Sequence, residues 1–504
     1  MTLSSKHPQY ADFADDWEQM RDTYRGQRAV KEKGFRYLPA TSGMIEDGIV
    51  SVNDKGFLAY VAYKTRARFP GLVRKAVEAM LGVMHHKPPT IELPAKLDPM
   101  VERATLRNES LEMLLRRVNE EQLVTGRLGL LLEVPSGREG AALPYVALYH
   151  AESLINWDEG VRGETIPDSL NLVVIDESED ERQEDFKWER VEKYRVLVLG
   201  DLKDNEQRGT YRAGLFRGSD AEFDEASLVT PSIMGNTLDR LPFAFINTGD
   251  IVPEPSEPAL IDVANTALAI YMAEADYRQT LFMQGQPTLV TIGSIDADGK
   301  PIRLGAGARI DLPMGGDAKF VAVPGESLAE VRIALENDYN RGDQKSGELI
   351  DSGSRERESG EALKVRVAAK TATLNQIALA GAAGLQHVLR AAAEWVGADP
   401  DEVVVTPNLD FVDDTMTGRE LAELVAAKNM GAPISWETIH AIMEARGITA
   451  LTIEDELEKM REEQANELLA PPSQNPDGPA DDPETGEGDG EDPDGVEGGD
   501  GHDE

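Results

Sequence analysis

Cysteine is absent from the 504 residues. That excludes disulfides, iron–sulfur clusters and thiolate zinc sites, and it favours a reducing compartment. Long apolar runs are missing too. No stretch approaches the ~18–20 consecutive apolar residues that cross a bilayer. The opening MTLSSKHPQYADFADDWEQM holds several acids and no apolar core of signal-peptide length. A cytosolic-type soluble chain is expected, with no membrane partner. Positive charge is scarce: 51 Lys and Arg stand against 92 Asp and Glu, a net charge of −41. Thirteen of the acids fall in residues 471–504, which contain no Lys or Arg, yet the remainder is acidic in its own right. A grip on duplex nucleic acid needs basic patches against about one phosphate charge per ~1.7 Å. Ordinary sequence-specific DNA binding is therefore not expected.

Signatures of catalysis are also lacking. Gly293-Ser-Ile-Asp-Ala-Asp-Gly299-Lys300-Pro301 superficially matches a phosphate loop. It spaces its glycines by five residues where four are needed, and Pro301 replaces the Ser or Thr that holds Mg²⁺. With strands on both sides it reads as a hairpin turn. Asp296-Ala-Asp298-Gly299 is too short for a calcium loop. His85 and His86 are adjacent; on a helix they point about 100° apart and cannot share a metal as i and i+4 can. No G-x-S-x-G elbow occurs. No catalytic residue, metal site or cofactor is expected.

The order of elements is legible. To about Lys87 the chain reads as helices, one starting near Tyr10. Another runs over Phe69–Met84 with apolar residues at 72, 73, 76, 77, 80, 81 and 84, ended by Pro88-Pro89. A further amphipathic segment spans about Pro99 to Leu123. Then the period changes to that of strands: 127–135, 143–152, 170–177, 189–201 and 208–217, with Leu241–Asn247 a further candidate. Helices followed by a block of strands predict α+β with a mainly antiparallel sheet. A long helix is expected from an N-cap at Ser256, with Pro258 in its first turn, to Gly285. Short strands at 287–294, 301–313 and 318–325 follow. Ser327-Leu-Ala-Glu330 forms a capping box for a helix to about 345. The longest helix covers 360–396 and stops at Gly397. After a strand within 401–411, helices start at Thr417, Ser435 and Thr452. Beyond Leu469 the Gly-, Pro- and acid-rich tail is expected to be disordered.

Several segments carry a likeness: HPQYADFADDWEQMRDTYRG (7–26), GFRYLPA (34–40) and YVAYKTRARFPGLVRKAVEAMLGVMHHKPP (60–89) come first. LYHAESLINWD (148–158) and ALIDVANTALAIYMAEADYRQTLFMQGQPTLVTIG (259–293) follow, then LDFVDD (409–414) and PISWETIHAIMEARGI (433–448). Together and in this order they resemble the portal proteins of tailed bacteriophages. The match lies with a branch often catalogued as a phage domain of unknown function. The likeness covers roughly residues 7–465 and leaves out the acidic tail.

The resemblance implies a structural, non-enzymatic protein of the virion that assembles in the host cytoplasm. It implies a closed ring, typically of twelve subunits, at one capsid vertex, through which double-stranded DNA is packaged and ejected. The implied partners are the terminase large subunit, head-to-tail adaptors, and major capsid and scaffold proteins. In this chain the portal fold would place a mixed helix and antiparallel-sheet wing at 1–255 and 359–411, and paired stem helices at 256–284 and 327–348. A small β clip would fall at 285–326, a tunnel loop at 349–358, a helical crown at 412–469 and the tail at 470–504. The loop would present Arg355 and Arg357, diluted by Glu356 and Glu358, with Lys364 following on the helix, for weak non-specific contact with moving DNA. Glycines 353 and 360 flank this charged stretch and would let it move while the helix behind stays packed. Alternatives are a phage-associated metal-dependent enzyme or nuclease, or an acidic scaffold or capsid protein. Gly381-Ala-Ala-Gly384 within the longest helix would permit close approach of another helix, between subunits or at a kink.

Overall fold

The computed structural model describes residues 3–134, 143–159, 170–199, 209–218, 223–285, 288–292, 314–321, 326–347, 360–411, 418–445, 448–449 and 451–469. Contacts divide the chain into two units, residues 1–411 and 412–504. Among the described residues no helix is long and apolar enough to cross a membrane.

The first unit opens with helices α1 (Pro8–Arg25), α2 (Gln27–Glu32), α3 (Ser42–Glu46), α4 (Lys55–Arg66) and α5 (Leu72–Met84). Pro8 occupies the first turn of α1, where its missing N–H is harmless, and His7 Nδ1 accepts from the Gln9 N–H at 3.3 Å. Helix α5 buries Leu72, Val73, Ala76, Val77, Met80, Leu81 and Met84, the seven positions of the face read from the sequence. A short strand, β1 (Thr90–Glu92), was not expected there and pairs antiparallel with residues 404–406.

The single helix expected over 99–123 is two, α6 (Pro99–Glu102) and α7 (Leu111–Thr125). Asn108 adopts φ +60°, a left-handed conformation that breaks the ladder, and Ser110 starts the helix afresh by accepting from the Met113 N–H at 3.2 Å. Gly126, at φ +76°, ends α7.

Strands β2 (Arg127–Glu133), β3 (Tyr145–His150), β4 (Leu154–Glu159), β5 (Leu170–Asp176), β6 (Glu179–Arg182), β7 (Trp188–Val191), β8 (Lys193–Leu199), β9 (Tyr211–Arg217) and β10 (Phe243–Asn247) follow. Every pairing is antiparallel, in two sheets of order β10-β2-β3 and β4-β5-β8-β9, with β6-β7 a separate hairpin. The apolar run of β2 is buried along almost its whole length, as a strand covered on both faces requires. The expected run 189–201 splits at Glu192 into β7 and β8.

Next come α8 (Ile261–Gln284), β11 (Thr288–Ile292), β12 (Asp317–Val321), α9 (Glu326–Gly347), α10 (Gly360–Trp395) and β13 (Val404–Thr406). Helix α8 starts four residues later than an N-cap at Ser256 predicts. Residues 256–260 pack as a turn instead: the Ile261 N–H reaches the Pro258 carbonyl at 3.1 Å, and Pro258 Cα lies 3.1 Å from where a Cβ on Gly126 would stand. Helix α10 ends as predicted. Gly397 takes φ +65°, the Ala398 N–H bonds the Ala393 carbonyl at 2.8 Å, and the Gly397 N–H bonds that of Glu394 at 3.0 Å.

Two apolar clusters fill this unit. One joins the two sheets to α7 and to α10 from Ala382 to Trp395, with Val396 just beyond; the other joins α1, α4, α5, α8 and α9 to Leu374, Ile377 and Ala378 of α10. Gly381 and Gly384 of α10 serve contacts within the chain, at a place where the sequence left packing between subunits and a kink both open. A Cβ on Gly381 would lie 2.6 Å from Asn119 Nδ2 of α7, and one on Gly384 2.3 Å from Ile246 Cδ1 of β10.

The second unit contains α11 (Gly418–Asn429), α12 (Trp436–Ala445) and α13 (Ile453–Leu469). Ser435 and Thr452 cap the last two as expected, accepting from Thr438 N–H at 3.0 Å and Asp455 N–H at 3.3 Å. The phosphate-loop look-alike at 293–301, the strand expected at 301–313 and the acidic tail lie outside the described residues.

Candidate functional site: the helix–hairpin–helix arm

Helices α8 and α9 pack antiparallel and lead into and out of the β11-β12 ladder, which pairs Thr288 with Val321 and Ile292 with Asp317. One end of the pair is seated in the helical core. Gly342 of α9 makes this possible, since a Cβ there would lie 2.6 Å from Leu72 Cδ1 and 3.1 Å from Ile270 Cδ1. Beside it Lys345 Nζ donates to Thr266 Oγ1 at 3.3 Å. Further along α8, Glu274 is buried and paired with Arg278 at 2.7 Å. The Tyr63 hydroxyl donates to Asp276 at 2.6 Å; burial, and then that carboxylate, push the phenol well above its usual range. Arg66 donates to Gln279 and lies with its guanidinium 4.0 Å from the Phe282 ring centre. Helix α4 thus braces α8 through Tyr63 and Arg66.

Elsewhere along the arm, apolar side chains stand open among exposed charged ones such as Glu330, Arg332 and Glu336. Met272, Leu281 and Met283 of α8 are exposed, as are Val331 and Ile333 of α9. Apolar residues lie around every face of α8, and a helix of that kind is normally buried on all sides. Within one chain it is not.

Of the residues singled out for DNA contact, Arg355, Glu356, Arg357 and Glu358 lie outside the described residues, and Lys364 is described only as part of the α10 backbone. The histidines have structural partners: His85 Nε2 meets Asn119 Oδ1 at 2.9 Å, and His86 Nδ1 meets the Val83 carbonyl at 3.0 Å. Among the described residues no group of three or more His, Asp and Glu could hold a metal.

Two ionic clusters were not foreseen, because their members lie far apart in sequence. Arg21 forks onto Glu121 at 2.8 Å and Glu152 at 2.9 Å, and His150 Nδ1 is 3.0 Å from Glu121. Burial pushes the Glu121 carboxyl up, but hydrogen bonds from His150 and Arg21 outweigh it and hold it at about 2. Arg195 pairs with both Glu133 and Glu177, which also accept from the Tyr145 and Tyr149 hydroxyls. Guanidinium–carboxylate forks of this kind fasten the elements that carry them together.

Residues 259–396 match a family described as a domain of unknown function, DUF4055. The segment spans the arm and α10. No curated protein matches the chain. Among solved structures, a chain from the neck of a native GTA particle, computed with C12 symmetry, is similar at 12% identity and a TM-score of 0.37. It covers 74% of this chain and 89% of that one. A chain from the neck of an empty GTA particle, computed with C6 symmetry, is similar at 14% identity and a TM-score of 0.34, covering 81% and 93%.

Proposed function

We propose that this protein is a portal subunit of a tailed phage or phage-like particle, assembling into a ring that conducts DNA and docks terminase and head-to-tail adaptors without a catalytic step of its own. The observation that carries the reading is the arm: two antiparallel helices, seated at one end in a core, leave apolar side chains on α8 and α9 open to a neighbour. A head-to-tail contact between identical chains covers such a surface on every copy and closes into a ring. The motif order supports the same reading. LYHAESLINWD forms the β3–β4 corner, and ALIDVANTALAIYMAEADYRQTLFMQGQPTLVTIG supplies α8 and β11.

On this proposal α8 and α9 are the stem, the β11-β12 hairpin belongs to the clip, and residues 1–255 with 359–411, the N-terminal helices and β-rich block with α10, form the wing. Residues 349–358 are the tunnel loop and α11–α13 the crown. Arg355 and Arg357 face the axis and touch phosphates weakly, with Glu356 and Glu358 keeping the contact loose. Native mass measurement and electron microscopy of the purified protein test the ring. A closed annulus of about twelve copies with a central hole is expected; a monomer without a hole under all assembly conditions overturns the proposal. In particles, Arg355→Ala with Arg357→Ala should lower DNA content while leaving the annulus intact.

A further inference from the structure

In a chain with 41 surplus negative charges, residues 25–75 contain 11 Lys and Arg against 4 Asp and Glu. The fold gathers several of these cations from separate elements. Lys31 of α2 donates to the Thr65 carbonyl at the end of α4 at 3.0 Å. Arg74, at the start of α5, donates to the Tyr24 and Arg25 carbonyls at 3.1 and 3.0 Å, next to the end of α1. Arg25, Arg28 and Lys33 line one shallow concavity of about 390 Å³, together with Asp22, Ala29 and Glu32. Lys64 lies over the Tyr60 ring, 5.7 Å from its centre, and Phe35 stacks on that ring at 4.2 Å.

The pairing of these cations is uneven. Lys33 and Arg36 meet Glu18, and Arg28 meets Glu32. Among the described residues Arg25, Lys31, Lys64 and Arg74 meet no carboxylate within ion-pair distance. Lys31 and Lys64 face each other as like charges, and burial followed by that repulsion lowers the Lys31 ammonium. Like charges brought together without a counter-ion lower their energy when an external anion arrives. A surface shared by α1, α2, α4 and α5 matches a row of charges better than one small ion. Beside it Phe35 stays exposed and stacks on the buried Tyr60 ring.

We infer that this face, formed by Arg25, Arg28, Lys31, Lys64 and Arg74, binds the phosphate backbone of duplex nucleic acid without reading its sequence. It is a second contact, separate from the tunnel loop, and it stands whether or not the chain forms a ring. Lysines and arginines on phosphates release counter-ions, so the binding must fall steeply with salt, by a log–log slope of about −0.9 per phosphate neutralised.

The test is fluorescence anisotropy of a labelled duplex of mixed sequence with the full-length protein, titrated between ~50 and ~200 mM salt. The charge-reversed variant R25E/R28E/K31E/K64E is compared with wild type, and K187Q/R217Q, at exposed cations of the β-rich block outside both proposed DNA contacts, serves as the reference that leaves the patch intact. Expected are binding at low salt, a loss of at least about tenfold and a flatter salt slope in the reversed variant, and no change in the reference. The milder R25Q/K64Q, at partly or fully exposed positions, keeps the comparison valid if the reversed variant loses its circular dichroism spectrum. Absence of duplex binding at low salt overturns the inference. So does binding that the patch variants retain. A patch variant that changes only the subunit count in solution overturns it in favour of a contact between protein chains.

Discussion

Glu121 shows how much one side chain can hang on its surroundings. It is nearly enclosed, yet Arg21 and His150 hold its carboxyl at about 2, against an ordinary 4.5. A folded-state value below the unfolded one adds stability that is fully present above about pH 4.5 and is lost as the pH falls towards 2, on the order of 3 kcal/mol. Urea denaturation at a series of pH values should show this loss in the wild type, and Glu121→Gln should flatten the profile over the same window while lowering stability at neutral pH. Glycines offer a second test at this scale. Gly82, on α5, has open space where a Cβ would go, whereas Gly384 faces Ile246 at 2.3 Å. Alanine is favoured over glycine in a helix by about 1 kcal/mol, while overpacking a core costs ~1–3 kcal/mol. Gly82→Ala should therefore raise the melting temperature and Gly384→Ala should lower it.

Elements were legible where one local force decides them. The α5 face follows from apolar spacing alone, and the stop of α10 follows from Gly397. Ser435 and Thr452 cap where a hydroxyl precedes an acid-rich first turn. What could not be read depended on distant partners. β1 is three residues whose strand mate lies at 404–406, and β6 (Glu179–Arg182), the charged partner of β7, has no apolar alternation to betray it. Ser256 looked like a cap, but packing of Pro258 against Gly126 delays the helix to Ile261. Of the candidate site, α8 and α9 were readable as helices and their pairing only through the resemblance. The open apolar side chains of the arm needed three dimensions, because sequence does not tell which side chains remain uncovered. Met283→Glu with Ile333→Glu should leave the circular dichroism spectrum of the subunit unchanged and abolish higher oligomers in sedimentation velocity.

At the scale of the molecule, charge and connectivity matter most. The net charge of −41 makes identical chains repel at long range, and salt shortens that repulsion to a Debye length of about 8 Å near physiological strength. Assembly driven by apolar contact should therefore proceed further as salt rises, opposite to the salt response of duplex binding at the basic face. Light scattering across a salt series separates the two.

Helix α10 passes through both apolar clusters, giving Leu374, Ile377 and Ala378 to one and its stretch from Ala382 to Trp395 to the other. Its 36 residues make a rod of roughly 54 Å. Neither half can loosen without fraying the same spindle, so calorimetry should record one shared melting event for residues 1–411. A push delivered at the Gly360 end would reach the sheets as a tilt of the entire shaft.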